Sequence, residues 1–242
     1  MNLYKKNLSE HPRGVRTDKS KKAVVIGATG ATGSQLVKKL LDSDKWRKIT
    51  TISRRKVIDG VSHNKLNEVI IDSFDDLPST AQSWIGNDIF FNCIGTTRSI
   101  AGSAKAFVDI EFGMSLKAAE LASNAGIPNA SVISAGGANA QSWAVDWLQP
   151  LLYIKTIGQK EETLTKHFRF NNVSIFRPGM LIRSYKKGSP LQEFFNSTNL
   201  GLPVDLLASS MIRDAESSSL DSENAVPFVY TGNSCIKSLI DL

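Results

Sequence analysis

Four apolar residues, Ala23 to Ile26, run without a polar interruption, and from Leu36 to Leu41 apolar positions recur at three- and four-residue spacing. A short unbroken apolar run reads as a strand buried on both faces, and the wider spacing as the buried face of a helix. The alternation continues. Strands are predicted at 23–26, 48–53, 68–72, 88–93, 130–134 and 172–176, and helices at 33–43, 103–124 and 151–168. The helix over 103–124 is closed by Ala125-Gly126-Ile127-Pro128, a glycine stop followed by proline. Strands alternating with helices predict one doubly wound α/β domain around a parallel sheet. Beyond Arg183 the rhythm loosens: 187–190 reads as a loop, 204–215 as a helix and 217–219 as a polar linker. This irregular third is expected to cover the carboxyl edge of the sheet, where ligands of such folds lie.

The junction between the first strand and the first helix carries Gly27, Gly30 and Gly33, with Thr29, Ala31 and Thr32 between them. A buried strand, a turn poor in side chains and a helix N-terminus together make a seat for a pyrophosphate. The glycines allow a sharp turn, a close approach to phosphate and tight helix–sheet packing. The spacing is G-x-x-G-x-x-G, and the flanking strand and helix are what give it meaning. About 20 residues further on, a dinucleotide fold that prefers NAD carries an acidic residue for the ribose 2′-hydroxyl. Here the chain reads Ser53-Arg54-Arg55-Lys56. Arg54 and Arg55 suit a 2′-phosphate, which guanidinium groups bind through charge-assisted bonds, so NADP(H) is expected. Asp72 is placed to meet an adenine amino group. Cys93 and Gly95, after the fourth strand, allow close passage by the ribose and nicotinamide, although Gly95 reads equally as an ordinary turn.

Composition changes this picture little. Of the 242 residues, 41% are apolar and 21% charged, ordinary for a globular domain. The net charge of +6 is concentrated at the start: seven basic residues against Glu10 and Asp18 put +5 in residues 1–22, leaving +1 for 23–242. Residues 1–22 are therefore expected to be a disordered, solvated leader, and 23–242 the folded domain. Apart from Tyr4 the leader lacks the aromatics of a nucleic-acid binder, so no nucleic-acid partner is expected. No apolar stretch reaches the roughly 20 residues of a membrane span, and no secretory core is present. Cys93 and Cys235 suggest no disulfide, which favours a reducing, cytoplasmic location. The basic leader leaves mitochondrial association as the alternative, although Glu10, Pro12, Gly14 and Asp18 interrupt an amphipathic presequence. His11, His63 and His167 are scattered, and no metal site is expected.

Four segments together resemble the Tat-interacting-protein-like branch of atypical short-chain dehydrogenases/reductases: Gly27-Ala-Thr-Gly-Ala-Thr-Gly33, Ser53-Arg-Arg-Lys56, Gly95-Thr-Thr-Arg-Ser-Ile-Ala-Gly102 and Ser174-Ile-Phe-Arg-Pro-Gly179. The resemblance spans roughly residues 23–183. It implies a Rossmann-type, NADP-binding fold, in a group whose members include reductases and regulatory or mitochondrion-associated proteins. It further implies cofactor contacts for Gly27, Thr29, Gly30, Thr32, Gly33, Arg54, Arg55, Cys93, Gly95, Arg177 and Pro178, the last two at the nicotinamide end.

In this superfamily a tyrosine donates a proton to the substrate carbonyl, a lysine four residues later lowers the tyrosine pKa, and a serine holds the carbonyl. The lysine matters because a phenol with a pKa of about 10 is a sluggish acid–base at neutral pH. Tyr153 matches the tyrosine and Ser134 the serine, but the lysine position is Ile157. Lys155 is turned about 200° away on a helix, and Lys160, on the same face, starts about 10 Å further along the axis. Neither reads as a substitute. Trp143 and Trp147, in the connection before Tyr153, read either as a lid or substrate wall or as packing anchors, and packing is the expectation. Two functions remain. The missing lysine favours an NADP(H)-binding protein with weak or no turnover, serving cofactor sensing or interaction with a protein partner. The alternative is an active NADP(H)-dependent reductase of a small carbonyl compound, with Tyr153 as acid and Ser134 as carbonyl partner.

Overall fold

The structure, a computed structural model, describes residues 20–58, 63–145, 148–183, 201–217 and 226–241. Its first strand, β1 (Lys21–Ile26), explains the doubly wound plan. Val24 and Ile26 project into one apolar core while Ala23 and Val25 project into the other. A strand buried on both faces needs a helical layer on each side. The chain supplies them through α1 (Ala31–Asp42), β2 (Trp46–Ser53), β3 (Leu66–Ile70), β4 (Ile89–Asn92), α2 (Arg98–Ala101), α3 (Ala104–Val108), α4 (Ser115–Asn124), β5 (Asn129–Ile133), α5 (Gln149–His167) and β6 (Asn172–Arg177). The short strands β7 (Leu181–Ile182) and β8 (Leu202–Pro203), α6 (Val204–Ser217), β9 (Phe228–Thr231) and α7 (Asn233–Ser238) follow.

Seven strands form one parallel sheet in the order β3-β2-β1-β4-β5-β6-β9. The order reverses direction beside β1, which opens a crevice at the carboxyl ends of β1 and β4. Lys21 and Lys22 already belong to β1, while residues 1–19 lie outside the described residues.

One expectation changes. The helix foreseen over 103–124 is interrupted: α3 passes through one π-helical turn, Asp109–Met114, before α4 begins. The turn carries Glu111, which is buried. The described part of the C-terminal region extends the sheet through β9 and the α1 layer through α6, while 184–200 and 218–225 lie outside the described residues. Leu207, Ala208, Met211, Ile212 and Ala215 give α6 a buried face against α1, and Tyr230 of β9 donates its hydroxyl to Asp214 of α6 at 2.6 Å. The loop at 187–190 and most of the linker at 217–219 lie outside the described residues. No described helix is long and apolar enough to cross a membrane.

Candidate functional site

Parallel pairing brings the sequence-predicted residues to one edge of the sheet. Gly27 to Gly33 follow β1, Arg54 and Arg55 follow β2, Asp72 follows β3, Cys93 and Gly95 follow β4, Ser134 follows β5, and Arg177 and Pro178 lie at the end of β6.

Two of the three glycines are required by the backbone itself. Gly27 has φ of +75°, and a Cβ there would meet the carbonyl carbon and oxygen of Cys93 at 2.5 Å. A Cβ on Gly33 would stand 2.3 Å from the Gly27 carbonyl oxygen. Gly30 differs, since its Cβ would meet that same oxygen at 3.2 Å, and Gly30 is exposed at the N-cap of α1. The first α1 bond runs from Ser34 N to Gly30 O at 2.9 Å, so the N–H groups of Ala31, Thr32 and Gly33 precede the helical ladder. No side chain caps them and the first turn holds no acidic residue. These donors, at the positive end of a twelve-residue helix, fit an anionic pyrophosphate.

The second strand ends in a shaped basic loop. Ser53 Oγ donates to Arg55 O at 2.7 Å, and Val57 N donates to Glu68 Oε1 at 2.7 Å. Arg54 stacks its guanidinium 5.5 Å from the Phe74 ring centroid. Arg54, Arg55 and Asp72 are all exposed along this rim.

At the other end, Ser134 is buried and donates its hydroxyl to Glu161, which also receives both Arg177 Nε, at 2.9 Å, and Arg177 Nη2. Ser134 N bonds Phe176 O at 2.7 Å and Gly136 N bonds Pro178 O at 2.8 Å, so backbone bonds join the turns after β5 and β6. A cleft of about 330 Å³, bordered by Asn139, Glu161, Thr165 and Arg177, opens beside this cluster. Gly158 lets the post-β5 loop lie on α5, since a Cβ there would meet Ala140 N at 2.2 Å. Trp143 in that loop is 67% exposed and so is no packing anchor; Trp147 lies outside the described residues.

Tyr153 packs on Phe107 with ring centroids 5.7 Å apart. Burial, and then the charge of Glu111, push its phenol up to about 12, against an opposing influence from Arg183. At neutral pH the phenol therefore keeps its proton. Ile157, where a lysine would favour the phenolate, is buried and apolar.

Lys160, which does not read as a substitute for the missing lysine, has partners of its own. It is only 1% exposed, and its Nζ donates to Glu111 Oε2 at 3.2 Å and to Ile133 O at 3.1 Å. The other Glu111 oxygen accepts from Thr96 N at 2.5 Å. The Lys160 charge is thus matched to Glu111 rather than to Tyr153. Cys93 contributes backbone, not chemistry: burial pushes its thiol up to about 12, and its carbonyl lies against Gly27.

Sequence reasoning missed Glu111, Glu161 and Phe74 as site residues. For Lys160 and Glu161 a signal existed, a charged pair beside the apolar stripe Ile157 and Leu164 of α5. Glu111 had none, because a π turn leaves no periodic mark in the sequence. No His/Cys/Asp/Glu group suited to a metal occurs among the described residues.

Residues 23–146 match the family described as the NAD dependent epimerase/dehydratase family. Protein HTATIP2 of Rattus norvegicus is 33% identical over 183 residues, covering 74% of this chain and 72% of its own. Protein FMP52-1, mitochondrial, of Scheffersomyces stipitis is 35% identical over 169 residues, covering 69% and 70%. Among solved structures, the oxidoreductase ylbE of Lactococcus lactis superposes with a TM-score of 0.64 at 18% identity over 91% of this chain and 97% of its own. The Bordetella bronchiseptica enzyme WbmF, solved in complex with NAD+, gives 0.62 at 14% identity over 93% and 78%. At such identities the structural matches speak for the fold.

Proposed function

The chain belongs to the NAD dependent epimerase/dehydratase family, in the HTATIP2-like branch of atypical short-chain dehydrogenases/reductases, and on that premise we propose that it binds NADP(H) with little or no turnover. It then acts through a cofactor-dependent interaction with a protein partner. The glycine turn and the bare N-terminus of α1 are suited to the pyrophosphate, and Arg54 and Arg55 to a 2′-phosphate. When bound, the nicotinamide supplies or accepts a hydride. The observation that carries the reading of low turnover is Ile157 at the lysine position, with Tyr153 beside Glu111 and its phenol raised rather than lowered. Such a tyrosine holds its proton, and Ser134 already donates to Glu161 instead of standing free for a carbonyl.

Cofactor choice is tested by fluorescence titration. Losing a charge-assisted bond costs about 1.5–3 kcal/mol, so Arg54→Ala with Arg55→Ala, which removes two, raises the Kd for NADPH by at least about 100-fold. The Kd for NADH stays within about twofold, since no 2′-phosphate is lost from it. Equal weakening of both cofactors, or of neither, would remove the argument for the 2′-phosphate.

A second reading, an active reductase of a small carbonyl compound, is favoured by the cleft of about 330 Å³ lined by Arg177 and by Glu161, the partner of Ser134. It requires turnover that Tyr153→Phe abolishes. The mitochondrial names of the FMP52 relatives support association with mitochondria rather than a purely cytoplasmic protein. Recovery of the full-length chain only in a cytosolic fraction would contradict that.

A further inference from the structure

The geometry points to a positioning role for Lys160: with Glu111 it clamps together the turn after β4, the end of β5 and helix α5, the segments beside which the nicotinamide half of the cofactor is expected. The inference rests on the dinucleotide-binding reading and extends it to residues outside the glycine and arginine motifs.

The clamp is built from three bonds. Lys160 Nζ reaches Ile133 O, the carbonyl just before Ser134, at 3.1 Å, and Glu111 Oε2 at 3.2 Å. Glu111 Oε1 accepts the Thr96 amide, next to Gly95, at 2.5 Å. Both charged side chains are almost completely buried, at 1% and 3% exposure. The π-helical turn at Asp109–Met114 carries Glu111 at this point, and single π turns inside helices are frequent at functional sites.

Stability does not account for such a pair. Withdrawing two charges from water costs about as much as their attraction returns, and an apolar pair of similar volume often does as well. What an ion pair with three directed bonds adds is orientation. Gly95 and Ser134 sit on two of the clamped segments, and a cleft fixed in its binding geometry loses less freedom when a ligand enters. The pyrophosphate and 2′-phosphate ends lie on other segments, after β1 and β2, so the clamp should act on one half of the cofactor alone.

Two probes separate the halves: NADPH, and 2′,5′-ADP, which carries both adenosine phosphates but no nicotinamide. The variant is the full chain with Lys160→Met and Glu111→Gln together, which leaves no buried charge unpaired; Lys160→Met alone is run beside it. In the folded double variant, NADPH is expected to bind at least about tenfold more weakly, the worth of one charge-assisted bond, with 2′,5′-ADP within about twofold of wild type. The change in nicotinamide fluorescence seen on binding to wild type should shrink as well. Unchanged NADPH affinity and fluorescence would overturn the clamp, and so would equal weakening of both probes, which marks a merely structural pair. Wild-type protein that binds neither probe would overturn the dinucleotide reading itself, and the clamp with it.

Discussion

Gly33→Ala destabilises the fold, whereas Gly30→Ala leaves the fold intact and weakens cofactor binding. The difference lies in what each new methyl group meets. At Gly33 it stands 2.3 Å from the Gly27 carbonyl oxygen and 2.9 Å from the Ala28 Cα, both backbone atoms of the turn itself. No side-chain rotation relieves such a contact, so β1 and α1 must move apart, and α1 carries Leu36, Val37 and Leu40 into the core. Overpacking of a tight site costs about 1–3 kcal/mol and sometimes more. For a domain of this size, 3 kcal/mol corresponds to a fall in Tm of about 6–12 °C. At Gly30 the nearest atom to the new methyl is 3.2 Å away, and the residue is exposed at the helix start. That methyl enters the space expected to hold phosphate, so the Kd for NADPH rises by about tenfold or more while Tm stays within a few degrees. Thermal melts and NADPH titrations of the two variants check the pair. A stable Gly33→Ala protein with normal affinity would show that the turn is not the cradle it resembles.

Glu111→Ala is the second large effect. Removing the carboxylate leaves the Lys160 ammonium buried with the Ile133 carbonyl as its remaining partner, and the Thr96 amide without its acceptor. Breaking one partner out of a buried pair costs about 3–5 kcal/mol, whereas replacing both partners with neutral groups is close to neutral. Urea denaturation should therefore rank Glu111→Ala well below wild type, with the Glu111→Gln, Lys160→Met double variant near wild type. A Glu111→Ala protein as stable as wild type would mean that the ammonium finds water, and that the ion pair is not the buried contact described here.

The parts of this fold that repeat were legible in the sequence. Buried strands such as Ala23 to Ile26 carry their own apolar signature, and the glycine turn and Arg54-Arg55 fall at strand ends because parallel pairing sends every strand end to one edge. Ends of elements moved by a residue or two, as at β2 and α5, where local fraying and pairing partners decide. What the sequence hid depends on long-range contacts. β9 is four residues long and half-exposed, and it becomes a strand because β6 offers an edge to pair with. Glu111 lies in a stretch that reads as ordinary helix, and only the tertiary bonds to Lys160 and Thr96 mark its inward turn. Sequence spacing places Lys160 only along the helix axis relative to Tyr153. Its actual partners are 49 residues back at Glu111 and 27 residues back at Ile133. The absence of a lysine at position 157, in contrast, was visible directly, and burial of Ile157 beside the site gives that absence its chemical weight.

The central claim is a pocket that holds NADP(H) without using it efficiently. Its most direct test is NADPH oxidation by wild type and Tyr153→Phe, each first saturated with NADPH in a binding titration, against a panel of small aldehydes and ketones. Saturable binding by both proteins, tighter for NADPH than for NADH, is expected, with wild-type oxidation no faster than that of Tyr153→Phe. Wild-type turnover far above the Tyr153→Phe background would contradict it.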